Sequence, residues 1–125
     1  MVVSKSEGYL TTHVLDTARG CPAEGIAITL FRISGNTREQ LATTVTNYDG
    51  RTNSPILPKE SFSIGQYELV FLVGSYLRAN KLVGKDAQNL FLDEIPLRFS
   101  IDNADAHYHV PLLLSPFGYS TYRGS

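Results

Sequence analysis

Tyr9-Leu-Thr-Thr-His-Val-Leu-Asp16 alternates in polarity and is rich in β-branched residues. A period of two places Thr11, His13 and Leu15 on one face of a strand and Leu10, Thr12 and Val14 on the other. The same texture runs outward through most of the chain. Residues 26–33 (IAITLFRI), 40–46 (QLATTVT), 67–73 (YELVFLV), 95–101 (IPLRFSI), His107–Ser115 (HYHVPLLLS) and 119–122 all read as strands. Gly20 with Pro22, Ser34-Gly35-Asn36, Asn47-Tyr-Asp-Gly50 and Pro116-Phe-Gly118 punctuate them as turns. Between Arg51 and Pro58, two prolines suggest a loop or a very short edge strand. Cys21 falls in a loop. Only 75–83 (SYLRANKLV) breaks the pattern, with apolar residues at helical spacing, Ser75 to cap it and Gly84 to end it. The fold class this predicts is all-β: a sandwich of seven to eight strands with one short helix near 75–83.

Pro111 sits awkwardly in this scheme. Proline cannot donate to a ladder, so either its strand has an unpaired side there or the ladder is locally broken. Both readings stay open in the sequence.

Composition narrows the function. The chain has 125 residues, a net charge of -1, 42% hydrophobic and 18% charged residues. It is one domain's worth of chain, long enough to bury about two thirds of its unfolded surface. We expect 1–8 to be a flexible N-terminus and 9–125 a single domain. Lys plus Arg (11) nearly balances Asp plus Glu (12), so no basic field invites nucleic acid. No apolar run approaches the ~20 residues of a membrane-spanning helix. The first residues lack the apolar core of a secretion signal, so a cytoplasmic location is expected. A single cysteine excludes both an intrachain disulfide and a Cys-rich zinc site.

The chemistry concentrates in the histidines. In His107–Ser115 the apolar face is Tyr108, Val110, Leu112 and Leu114, which should be core. His107 and His109 then point away from it. The outward faces carry His, Tyr and Pro where a solvated sheet would carry Lys and Glu, which hints at a second buried surface such as a subunit interface. Histidine suits general acid–base work because its pKa lies near working pH. His107 and His109 are also spaced as two ligands on one strand face, with His13 as a third for zinc, but no spacing motif or carboxylate pair supports this. Arg51 follows the tight Asp49-Gly50 turn. It is either solvated or held rigidly against an anion. No nucleophile elbow or phosphate loop is present.

Two motifs at opposite ends resemble a known family. Leu10-Thr-Thr-His-Val-Leu-Asp-Thr-Ala-Arg-Gly20 is similar to the N-terminal signature of the transthyretin-related proteins, the 5-hydroxyisourate hydrolases. His107-Tyr-His-Val-Pro-Leu-Leu-Leu-Ser-Pro116 followed by Tyr119-Ser-Thr-Tyr-Arg-Gly-Ser125 is similar to their C-terminal signature. The resemblance covers essentially the whole chain from Tyr9. It implies a transthyretin-like (prealbumin-like) β-sandwich and hydrolysis of 5-hydroxyisourate to 2-oxo-4-hydroxy-4-carboxy-5-ureidoimidazoline in urate degradation. The implied catalytic residues are His13, Arg51, His109 and Ser125, with His13, Arg51, Tyr122 and Ser125 binding substrate. His13 is the favoured base and His109 the group that positions and returns a proton; His107 has no assigned role. No cofactor or metal is implied. The implied assembly is a homotetramer with its active sites in a channel at the dimer–dimer interface. Phe117-Gly118 departs from the Trp-Ser of many members. The alternative is a transthyretin-like carrier of a thyroid-hormone-like aromatic ligand. Transthyretin has a lysine at the position of His13 and a different tail, so this chain follows the enzyme branch.

Overall fold

The structure is a computed structural model and describes residues 7–84 and 86–124. Among these, eight strands and one helix follow in chain order: β1 (Tyr9–Asp16), β2 (Cys21–Pro22), β3 (Ala27–Ser34), β4 (Thr37–Val45), β5 (Gly65–Leu72), α1 (Gly74–Ala79), β6 (Glu94–Ile101), β7 (His107–Ser115) and β8 (Gly118–Thr121). They form two four-stranded sheets, β2-β1-β7-β8 and β4-β3-β5-β6. The all-β sandwich with one short helix is as expected.

Alternation builds the core. Leu10, Thr12, Val14 and Asp16 of β1 point inward, as do Tyr108, Val110, Leu112 and Leu114 of β7. They meet Ile28, Leu30, Leu69, Phe71, Ile95 and Leu97 of the other sheet, all buried. The inward Thr12 hydroxyl donates to the Val110 carbonyl at 2.7 Å, so its burial leaves no polar atom unpaired. Both ends of the chain meet in one sheet because β1 and β7 pair in parallel, Tyr9 opposite His107 and Thr11 opposite His109.

Pro111 resolves as a broken ladder. His109 exchanges both backbone hydrogen bonds with Gly124, donating at 3.3 Å and accepting at 2.7 Å. The β7–β8 register runs from Leu112 opposite Thr121 to Ser115 opposite Gly118. The missing N–H of Pro111 falls in the gap between these two pieces. Its carbonyl accepts from the Thr121 hydroxyl at 2.7 Å.

Two local expectations need correction. Cys21 lies not in a loop but in the two-residue β2, which pairs with Leu15 and Asp16. The helix is shorter than 75–83 and uses neither of the expected ends. Its N-cap is Val73, with no side-chain cap. Val73 and Gly74 instead donate to the Asp93 carbonyl at 2.9 and 3.0 Å. At the other end Lys81 adopts φ 58°. Leu82 N–H then bonds the Leu77 carbonyl (2.9 Å) and Lys81 N–H the Arg78 carbonyl (3.1 Å), a Schellman closure made with lysine where glycine is usual. A helix this short is not stable alone. Burial of Tyr76 and Leu77, and a 2.5 Å hydrogen bond from the Tyr76 hydroxyl to the buried Asp16 carboxylate, hold it to the sheet. Burial and that carboxylate push the Tyr76 phenol pKa up, so it stays protonated as a donor.

Candidate active site

The outward face of the β1–β7 pair carries Tyr9, Thr11, His13, His107 and His109, and a turn brings Arg51 to it. The Asn47 carboxamide oxygen accepts from the N–H groups of Asp49 (2.9 Å) and Arg51 (3.2 Å), which closes the turn. Gly50 has φ 75°. A Cβ there would lie 2.4 Å from the Val14 carbonyl oxygen, so this close approach to β1 requires glycine. Val14 N–H donates to the Gly50 carbonyl at 2.8 Å, and His13 and Arg51 form an isolated bridge. The segment after the turn touches β1 once more, at Leu10 and Leu57. It is therefore a loop that grazes the sheet edge. The Arg51 guanidinium is oriented by the Asp49 carboxylate at 3.0 Å. Both are exposed, so the pair aims the side chain and adds little stability.

His13 has one tautomer. Its Nε2 lies 2.9 Å from the Asp49 carbonyl oxygen. A carbonyl only accepts, so Nε2 carries the proton and Nδ1 keeps its lone pair. Burial, and then the Arg51 charge, lower the His13 pKa below the usual 6.5, against a partial upward pull from the Asp49 carbonyl and carboxylate. His109 is lowered by burial first, then by Arg51, His107 and His13. His107 is lowered by burial. All three imidazoles are neutral near pH 7 and offer lone pairs as bases.

The rings of His13 and His109 stand 6.4 Å apart, centroid to centroid. Beside His109 is an open cavity of about 500 Å³ whose walls include Tyr9, Thr11, Arg51, Thr52, His107 and His109; His13 is outside this wall and joins it through its bridge to Arg51. The structure thus brings together three of the sequence-predicted residues, His13, Arg51 and His109. Among the described residues, no three His, Cys, Asp or Glu side chains cluster as metal ligands.

The tail is anchored to the same strand. Gly124 bridges His109, and a Cβ on Gly124 would meet the His109 ring at 3.1 Å. The Arg123 guanidinium lies over the buried Tyr108 ring at 4.0 Å, a cation–π contact. Tyr108 is itself held by donation to Asp102 at 2.6 Å. Tyr122 does not line the cavity beside His109. It is 58% exposed and lines a separate cavity of about 340 Å³ with Phe99, Val110 and Arg123. Ser125 lies outside the described residues.

Sequence reasoning missed Thr11. Its hydroxyl sits 2.6 Å from His107 Nε2 and 2.8 Å from His109 Nδ1. Parity put Thr11 on the right face, but nothing local reveals that β7 lies beside it.

A model of the HIUase/Transthyretin family matches residues 10–124. The chain belongs to this family. Curated members include the 5-hydroxyisourate hydrolase of Pseudomonas aeruginosa, 55% identical over 118 residues, which are 94% of this chain and 92% of the relative. The 5-hydroxyisourate hydrolase 2 of Rhizobium meliloti is 54% identical over 98% of this chain and 100% of its own length. Among solved structures, an (S)-allantoin synthase matches with a TM-score of 0.88 at 50% identity, covering 98% of this chain and 45% of that one. The Klebsiella pneumoniae 5-hydroxyisourate hydrolase matches at 0.75 and 33% identity, over 94% and 99% of the two chains. The membership and fold expected from the two end motifs are as found.

Proposed function

We propose that this family member hydrolyses 5-hydroxyisourate to 2-oxo-4-hydroxy-4-carboxy-5-ureidoimidazoline, a step of urate degradation. One observation carries the reading: Arg51 and His109 line one cavity and His13 adjoins both, bridged to Arg51 and with its ring 6.4 Å from that of His109, in a chain over half identical to relatives that bear this activity in their names. The bond to be cleaved is an activated cyclic amide in a flat, readily ionised ring. Water suffices as nucleophile. His13 Nδ1 takes a proton from that water as its oxygen attacks the ring carbonyl. Arg51 binds the anionic substrate and stabilises the charge developing on oxygen. The ring C–N bond then breaks, and His109 returns a proton to the departing nitrogen. Such acid–base help supplies roughly 10²–10⁴ in rate.

The assembly belongs to the same reading. β6 and β8 are the end strands of their sheets, suited to edge pairing between protomers. The outward face of β1 and β7 leaves Tyr9, His13, His109 and Leu113 half-buried, with no Lys or Glu, which suits burial against a second dimer. A homotetramer with sites at that dimer–dimer interface would close the open cavity, and Tyr122 and Ser125 would complete the contacts to the substrate ring. Among the described residues no helix is long and apolar enough to cross a membrane. A cytoplasmic location is part of the proposal.

The test is a coupled assay. Urate and urate oxidase generate the intermediate, and its absorbance decay is followed with and without this protein. Faster decay supports the reading, and equal decay overturns it. His13→Ala and His109→Ala should each slow turnover by roughly 10²–10⁴. Light scattering should return the tetramer for wild type and both variants.

A further inference from the structure

The hydrolase reading leaves His107 and Thr11 without a task, yet they form the most closely connected polar group on this face. Thr11 Oγ1 lies 2.6 Å from His107 Nε2 and 2.8 Å from His109 Nδ1. A threonine hydroxyl has one proton to donate. When it donates to one imidazole it must accept from the other, so the two rings hold opposite roles. Two arrangements satisfy the geometry. In the first, His109 Nδ1–H donates to Thr11 and Thr11 donates to His107 Nε2, leaving His109 Nε2 as an acceptor. In the second, every proton shifts along the chain, and His109 Nε2 carries a proton that it can give away.

The arrangement is built to persist. The parallel register sets Thr11 opposite His109 and Tyr9 opposite His107. The Tyr9 ring stacks on His107 at 4.1 Å with planes 9° apart, which fixes that imidazole. A β-branched threonine has little χ1 freedom on a strand. His109 is further held by its backbone bridge to Gly124. By contrast, the hydrogen bond of His13 Nε2 ends on a carbonyl that cannot change its role.

We propose that Thr11 and His107 are positioning residues forming a proton relay behind His109, so that His109 switches between acceptor and donor within one turnover. The relay rests on the hydrolase reading and extends it to how the second histidine is recharged. When His109 Nε2 accepts a proton from the site, its Nδ1 proton passes to Thr11. The Thr11 proton passes to His107 Nε2, and His107 releases its own Nδ1 proton to solvent. No net charge stays on the three groups: this direction loads His109 Nε2–H, and run backwards the same path lets His109 Nε2 give its proton to the site while His107 Nδ1 takes one up from solvent. Among the described residues, the titratable and charged groups around His109 are His107 on its own strand, His13 and Tyr9 on β1, and Arg51 from the turn segment.

The test compares wild type with Thr11→Val, Thr11→Ser and His107→Phe. The valine keeps the shape and removes the hydroxyl, and the phenylalanine keeps a ring for Tyr9 to stack on. Steady-state kinetics across pH should show kcat falling at least about tenfold in Thr11→Val and His107→Phe with KM little changed, a part of the roughly 10²–10⁴ available to acid–base catalysis. Thr11→Ser should recover most of the loss. Nitrogen-15 NMR of the imidazoles, read without substrate, should show His109 averaging between tautomers in wild type and locked in Thr11→Val. Wild-type kcat in Thr11→Val, or a loss that serine does not restore, overturns the relay and leaves the hydrolase reading standing. An inactive wild-type protein overturns the hydrolase reading, and the His109 nitrogen signals then decide the relay alone: one fixed tautomer in wild type removes it.

Discussion

The imidazoles of His13 and His109 stand 6.4 Å apart and tilted by 40°, although they come from opposite ends of the chain. Their hydrogen-bond partners differ in kind. His13 is tied to a backbone carbonyl and holds one tautomer, whereas His109 is tied to a hydroxyl that works either way. Two neutral bases beside one cationic Arg51 are thereby divided into a fixed acceptor and a reversible one.

The pH dependence follows from that division. His13 and His109 both have pKa values pushed below 6.5 by burial and then by Arg51. Activity that needs them neutral should hold on lowering the pH past 6.5 and fall only below it. Stability moves the same way: with native pKa values depressed, the unfolded chain binds more protons once pH drops below its own value near 6.5. These groups therefore stabilise the native state above that pH and lose their contribution as pH falls through the native values. A kcat/KM profile, with denaturant titrations at the same pH values, checks both. An acid limb above 6.5 would contradict the assignment.

Gly50 should tolerate no side chain. Its φ of 75° and the 2.4 Å approach of a Cβ to the Val14 carbonyl both oppose Gly50→Ala. We expect a loss of about 1–3 kcal/mol in stability, from backbone strain in a fixed turn. Because this turn carries Arg51, KM should rise as well. Urea unfolding and kinetics on the same preparation measure the two effects.

The tail should depend on its clamp. Arg123→Met removes the cation–π contact on Tyr108 while keeping an unbranched side chain. With the arginine exposed over a buried ring, such a contact is worth about 0.5–1 kcal/mol. Global unfolding should hardly change, but amide exchange at Gly124 should speed up and turnover should drop. Unchanged exchange at Gly124 would show that the bridge to His109 holds the tail alone.

Lys81→Gly should stabilise the protein. Lys81 occupies the left-handed region at φ 58°, which costs a side-chain-bearing residue about 1 kcal/mol relative to glycine. A rise in thermal midpoint with unaltered kinetics is the expected result.

Much of this was legible in the sequence, and the exceptions share a cause. Alternation in Tyr9–Asp16 and, apart from the buried Pro111, in His107–Ser115 matched the inward and outward faces, because a period of two is a property of the strand itself. The Asp49-Gly50 turn was equally local. The helix ends were misjudged because they are set by Asp93 and Lys81, the first brought in by folding and the second an unusual choice for a left-handed position. Cys21 joined a strand because β1 lay beside it.

The sequence by itself determined the longer strands, most of their faces, the tight turn and, through its two end motifs, the family. Only the tertiary structure decided that β1 and β7 run side by side in parallel, that Arg51 bridges His13, that Thr11 joins two histidines, and that the ladder opens at Pro111. Periodicity is written in neighbouring residues. Pairing and register emerge only when distant strands bury one common core, and it is those pairings that turn scattered histidines into a site.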